Sequence, residues 1–155
     1  MTDPSHLDEQ GDARMIDVGA KPETARRAVA EARLVMSDET RAALFDGSLP
    51  KGDAGAVARV AAIQAAKRTA DLIPLCHPLP LTAVDVDVEE TGSGALVRAT
   101  VSTMARTGVE MEALTAASIG ALTIYDMVKG LERGVEIGPV RLVHKSGGAS
   151  GEWSR

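Results

Sequence analysis

Asp126 and Lys129 stand three residues apart in a stretch of helical character, so they sit about 60° apart around the axis and roughly 4.5 Å along it. A surface ion pair contributing ~0.3 kcal/mol is enough to explain such a pair. The setting points further. Ala113 to Tyr125 carries no charge, which places Asp126 at the end of a segment expected to be buried. A carboxylate there answers to desolvation and to a neighbouring ammonium. Glu112 precedes Asp126 by fourteen residues, within about 40° of the same helical face but roughly 21 Å away along the axis. One helix cannot present both to a small reacting centre. Either the ligand is long, or a second subunit supplies one of the two.

His77 lies in Pro74-Leu75-Cys76-His77-Pro78-Leu79-Pro80, where three prolines restrict the backbone. An imidazole held there suits a general acid or base at neutral pH, and a histidine bonded to a carbonyl fits the position equally well. Cys76, His77 and His144 are metal-ligand types, but the chain has one cysteine and no CxxC or HExxH spacing, so no metal is expected. Lys51, in Pro50-Lys51-Gly52-Asp53, precedes a candidate helix N-terminus, where free amides and the dipole favour an anion. A solvated loop lysine is the alternative. Lys145 opens a Gly/Ser-rich run to Gly151, a composition able to wrap a phosphate with backbone amides, although GxxxxGK[ST] is absent and a frayed terminus has the same composition. Glu110 closes Thr107-Gly108-Val109-Glu110, and a capping box explains it without any ligand.

These groups need elements to position them. Met15 to Val18 reads as a short strand-like piece. From Thr24 to Met36 alanine richness argues for a helix, but Ala28, Ala30, Ala32, Leu34 and Met36 alternate with Arg27, Val29, Glu31, Arg33 and Val35, the period of a half-buried strand. Ser37 is the expected cap of a short helix ending at Asp46-Gly47, and Asp53 of a second, mostly buried helix reaching about Leu72. Val84, Val86 and Val88 alternate with acids in a strand that turns at Thr91-Gly92-Ser93-Gly94 into another, from about Ala95 to Met104. A long helix from Thr107 to about Arg133 follows, and then a strand from Val135 to Val143 interrupted at Gly138-Pro139. The order predicts an α+β fold, an antiparallel sheet with helices packed on one face, ferredoxin-like.

With 155 residues, 45% of them hydrophobic, the chain is expected to be a single domain over 1–155, its residues 1–14 a disordered arm and 145–155 a flexible loop and tail. Phe45, Tyr125 and Trp153 are the only aromatics, so the core must be built of small side chains that bury little area each, and homo-oligomerisation would bury more. A net charge of −5 argues against a nucleic-acid surface. No 18-residue apolar run exists to cross a membrane. A lone cysteine and a polar start without a secretory signal point to the cytoplasm.

Lys51-Gly52-Asp53, Asp71-Leu72-Ile73-Pro74-Leu75-Cys76-His77-Pro78-Leu79, Thr107-Gly108-Val109-Glu110-Met111-Glu112-Ala113-Leu114-Thr115-Ala116-Ala117-Ser118, Ala121-Leu122-Thr123-Ile124-Tyr125-Asp126-Met127 and Lys145-Ser146-Gly147-Gly148 resemble, in order, the signature segments of the cyclic pyranopterin monophosphate synthase family of molybdenum-cofactor biosynthesis. The resemblance covers about residues 15 to 153. It implies conversion of 3′,8-cyclo-7,8-dihydro-GTP into cyclic pyranopterin monophosphate and diphosphate, without a cofactor, in a homohexamer arranged as a trimer of dimers with sites between subunits. By matching position it implies Asp126 as catalytic acid/base, with Lys51, Lys129 and His77 as partners. Leu75, Cys76, His77, Glu110, Met111 and Glu112 would bind substrate, and Lys145 would belong to a loop closing on the triphosphate. Ala54 stands where a larger apolar residue is expected and Arg106 where lysine is common. A nucleotide-binding regulatory module and a metal-dependent cyclohydrolase are the competing readings.

Overall fold

The computed structural model describes residues 6–155. Residues 1–5 of the N-terminal arm fall outside the described residues; 6–14 close a small loop through a bridge between Leu7 and Ala13. Met15 to Val18 forms no strand and lies outside the sheet.

The alternating alanine segment is a strand, β1 (Thr24–Val35). Short helix α1 (Asp38–Asp46) follows, capped as expected by Ser37, whose hydroxyl accepts from the Thr40 amide. Asp53 caps α2 (Ala54–Lys67) through the Ala56 amide. The expected single helix to Leu72 is broken at Arg68, whose amide takes the capping role, and a four-residue turn α3 (Thr69–Leu72) completes it. The two strands of the hairpin are β2 (Leu81–Thr91) and β3 (Gly94–Ala105). They are joined by Gly92-Ser93, with Gly94 at positive φ and so near Leu34 that a side chain would strike its carbonyl. Helix α4 (Glu110–Val128) leads to β4 (Glu136–Ser146) and a two-residue β5 (Trp153–Ser154). β4 runs unbroken through Gly138-Pro139, the ladder accommodating it by a register shift opposite Arg33.

The sheet is antiparallel throughout, in the order β2-β3-β1-β4-β5. With α2 and α4 on one face, the succession β1, α2, β2, β3, α4, β4 is the ferredoxin-like arrangement. Ala28, Ala30, Ala32 and Leu34 of β1 face Val101, Ala99, Val97 and Ala95 of β3 beneath α4. The core is made of methyl groups, as the lack of aromatics requires. Its smallest member decides the spacing, since a Cβ on Gly120 of α4 would press on Val97 and Ala62, so α2, α4 and the sheet meet there at close range.

Helix α2 is buried on one side only. Ala54, Ala58, Ala62, Ala65 and Ala66 face inward, while Val57 and Val60 are exposed. On the outer face of the sheet Glu31 is nevertheless buried. Arg98 donates to its Oε1 from Nε and Nη2 at 3.1 and 2.9 Å, and reaches Glu89 with Nη1 at 2.6 Å. These are pairs between adjacent strands, Glu31 standing opposite Arg98 on one side and Arg141 on the other.

Candidate active site

The stiff connector after α3 and the first turn of α4 face each other across a cavity of about 280 Å³ lined by Leu75, Cys76, His77, Glu110, Met111 and Glu112. Glu112 projects from α4 into apolar surroundings and is 4% exposed. Burial, reinforced by the charge of Glu110, pushes its carboxyl up to about 6 even though a backbone hydrogen bond opposes the shift. Burial, and then Glu112, also raise the Cys76 thiol. His77 Nε2 lies 2.9 Å from the Ile16 carbonyl. A carbonyl can only accept, so Nε2 carries a proton and donates it, leaving Nδ1 for another partner. Both sequence readings of His77 are thereby compatible.

Thr107, Gly108 and Glu110 also wall a second, larger cavity of about 670 Å³. Lys21, Arg26, Arg106 and Lys145 line it, four cations against one carboxylate. Glu110 does not act in a capping box. The N-cap is Val109 without any side-chain hydrogen bond, and the Glu110 carboxylate turns instead to Lys145 Nζ at 2.8 Å. An ammonium in hydrogen-bond contact outcompetes a neutral amide for that oxygen. Lys145 is the penultimate residue of β4, placed by pairing with Ala28, so it belongs to the sheet rather than to the loop that follows. Arg26 reaches the carbonyls of Gly147 and Arg106 only at 3.4 Å, and its Nε and the Thr24 hydroxyl are buried without a hydrogen-bond partner. Unsatisfied buried donors on a cationic wall suit a multiply charged anion.

The remaining predicted residues form a separate cluster at the other end of α4. Lys129 Nζ lies 2.7 Å from Asp126 Oδ1, and Lys51 Nζ lies 3.2 Å from Oδ2 and donates to the Asp126 carbonyl at 2.6 Å. The expected burial of Asp126 is not found; its side chain is 56% exposed. The uncharged run before it supplies the buried face of α4, but Asp126 points off that face. First Lys129 and then Lys51 hold its carboxyl below the usual carboxylate range, and Asp126 in turn raises Lys129. Lys51 does not augment the N-terminus of α2. It reaches the last turn of α4, where an unpaired carbonyl and the negative end of the dipole attract a cation.

Thus one chain gathers the connector, the start of α4 and Lys145, and holds Lys51, Asp126 and Lys129 apart from them. Because α4 is continuous from Glu110 to Val128, the roughly 21 Å between Glu112 and Asp126 stands. Among the described residues no three His, Cys, Asp or Glu side chains converge as a metal site, and no helix is long and apolar enough to cross a membrane.

A model of the MoaC family matches residues 15–148, which include every residue of both cavities and of the cluster except His6, Ala149 and Ser150. The chain belongs to the MoaC family. Among its relatives, the cyclic pyranopterin monophosphate synthase of Roseiflexus castenholzii is 58% identical over 154 residues, 98% of each chain. That of Thermomicrobium roseum is 55% identical over 157 residues, 100% of this chain and 95% of its own. That of Brucella ovis is 55% identical over 152 residues, 97% and 92% respectively.

In this MoaC chain three cavity residues escape the sequence reading: Lys21, Arg26 and Arg106 as lining cations. Arg26 carries a signal. It is in phase with Ala28, Ala30, Ala32 and Leu34, the helix-facing side of β1, and an arginine in that phase has to reach an opening at the strand's end. Lys21 and Arg106 lie in no motif, and only the folding of β1 against β3 brings Arg106 beside Arg26.

Proposed function

We propose that the protein is a cyclic pyranopterin monophosphate synthase, a phosphorus–oxygen lyase of molybdenum-cofactor biosynthesis. Relatives bearing that name at 55–58% identity over nearly the whole chain carry the reading. In this reading the triphosphate binds among Lys21, Arg26, Arg106 and Lys145, and the purine-derived end reaches past Thr107 and Gly108, which wall both cavities, toward Cys76, His77, Met111 and Glu112. Expelling diphosphate means that a hydroxyl oxygen of the sugar-derived skeleton attacks the α-phosphorus as the bond to the β-phosphate oxygen breaks. The cations would take up the charge developing on that leaving oxygen. Opening and re-closing the ring system needs several proton transfers. Glu112, titrating near 6, is a group that can exchange protons near neutral pH, and His77 stands in the same cavity with its Nε2 on the Ile16 carbonyl.

Asp126, Lys51 and Lys129 enter this reading as catalytic groups acting on a neighbouring subunit's cavity. Two observations support it: the distance along α4, and the uncovered apolar side of α2, which begins beside Lys51 and exposes Val57 and Val60. A homohexamer, a trimer of dimers in the cytoplasm, is the assembly proposed. The direct test is to incubate the purified protein with 3′,8-cyclo-7,8-dihydro-GTP and follow products by mass spectrometry. Diphosphate and cyclic pyranopterin monophosphate in equal amounts are expected; unchanged substrate sinks the proposal.

A further inference from the structure

Between β4 and β5, residues 147–152 supply Gly148, Ala149 and Ser150 to the wall of the cationic cavity. The near end of this loop is tied to the sheet. Lys145 pairs with Ala28 and Ser146 with Arg27, and Gly147, at positive φ, passes so close to β1 that a side chain would strike the Ala25 carbonyl. The far end is tied mainly by its last three residues, Glu152 adding only a 3.8 Å approach of its Oε1 to His144 Nδ1. Trp153 pairs with Lys145 and Ser154 with His144. The Arg155 amide donates to the Val143 carbonyl at 3.0 Å and its Nε to the Leu142 carbonyl at 3.1 Å. His144 Nδ1 lies 3.0 Å from the Ser154 hydroxyl, and the Arg155 guanidinium sits 6.0 Å from the centre of the Trp153 ring. All three tail residues are exposed and none belongs to the core, so core packing does not account for this set of contacts.

We propose that Trp153–Arg155 is a strap that holds the loop against Arg26 and Lys145 in the shape that receives the phosphate end of the substrate, making Trp153 and Arg155 positioning residues. A loop tied at both ends has lost most of its conformational freedom before an anion arrives, and binding does not have to remove it. An untied tail would have to be ordered by each ligand. The inference rests on the synthase reading for the identity of the substrate, but the geometry concerns any polyphosphate.

The test ends the chain after Glu152 and, separately, replaces Trp153→Ala and Trp153→Phe. Steady-state kinetics are measured together with binding of inorganic triphosphate by calorimetry. Loss of the strap is expected to raise KM and the triphosphate Kd by roughly tenfold while kcat stays within about twofold, since the cost falls on binding and not on the chemical step. Trp153→Phe, which keeps the ring and the pairing, restores both constants. An unchanged KM and Kd in the shortened chain overturns the strap, as does a fall in kcat at constant KM. If the native protein forms no product, the synthase reading fails instead, and the triphosphate titration still decides the strap.

Discussion

Helix α4 carries a carboxylate near each end, and the two live in opposite environments. Glu112 is buried beside another acid and titrates near 6, whereas Asp126 is exposed between two ammonium groups and stays ionised below the ordinary carboxylate range. The same side-chain chemistry, fifteen residues of one helix, yields a group that can hold a proton near neutrality and one that cannot. The difference comes from what packs against each end: the proline-stiffened connector and Glu110 at the start, open solvent with Lys51 and Lys129 at the finish. The buried end is suited to proton exchange and the exposed end to fixed charge, or to action on a surface brought to it.

The sharpest way to break this contrast is Asp126→Asn. If the exposed end acts chemically, kcat falls by about 10²–10⁴-fold with an unchanged melting temperature, because an exposed carboxylate holds little of the fold together. A normal turnover rate by mass-spectrometric product assay removes Asp126 from the chemistry. Arg26→Ala probes the other end. Loss of a charged donor to the triphosphate is expected to raise KM by about 10–100-fold with little change in kcat.

Whether the two ends serve one centre is decided by mixing. Inactive Asp126→Asn and Glu112→Gln chains, unfolded and reassembled together, should recover about a quarter of native activity if each site draws its ends from two subunits at random. No recovery means that each chain works alone.

The smallest effect is on stability. The Glu112 carboxyl keeps its proton to about 6 in the folded chain against 4.5 for an ordinary glutamate, so the folded state binds more protons between those values. Stability to denaturant should therefore fall by about 2 kcal/mol as pH rises through that window and stay level above it. Glu112→Gln should flatten this slope and stabilise the protein at pH 7 by a similar amount, while lowering activity; a slope that survives the substitution assigns it to another group.

Much of the frame was legible. The period of two in Ala28 to Leu34 outweighed the helix propensity of alanine because a strand with one face under α4 needs that alternation, and Ser37 and Asp53 act as caps where local spacing placed them. The capping box at Thr107 failed for a reason no local reading contains: Lys145, thirty-five residues away on β4, competes for Glu110. The break at Arg68 left no proline or glycine to mark it. Of the cationic cavity only Lys145 was marked in advance, by the Gly/Ser-rich run it opens; the other cations were hidden because they come one at a time from separate segments, and of these Arg26 alone is betrayed by its phase.

By itself the sequence determined the strands and helices, the small-residue core and the residue types clustered in its signature segments, since each follows from interactions a few positions apart. Only the tertiary structure decided that Arg106 and Lys145 meet Arg26, that Glu112 is buried and that Asp126 is exposed. Burial and charge proximity are sums over groups that folding gathers from distant parts of the chain, and local spacing carries no record of them.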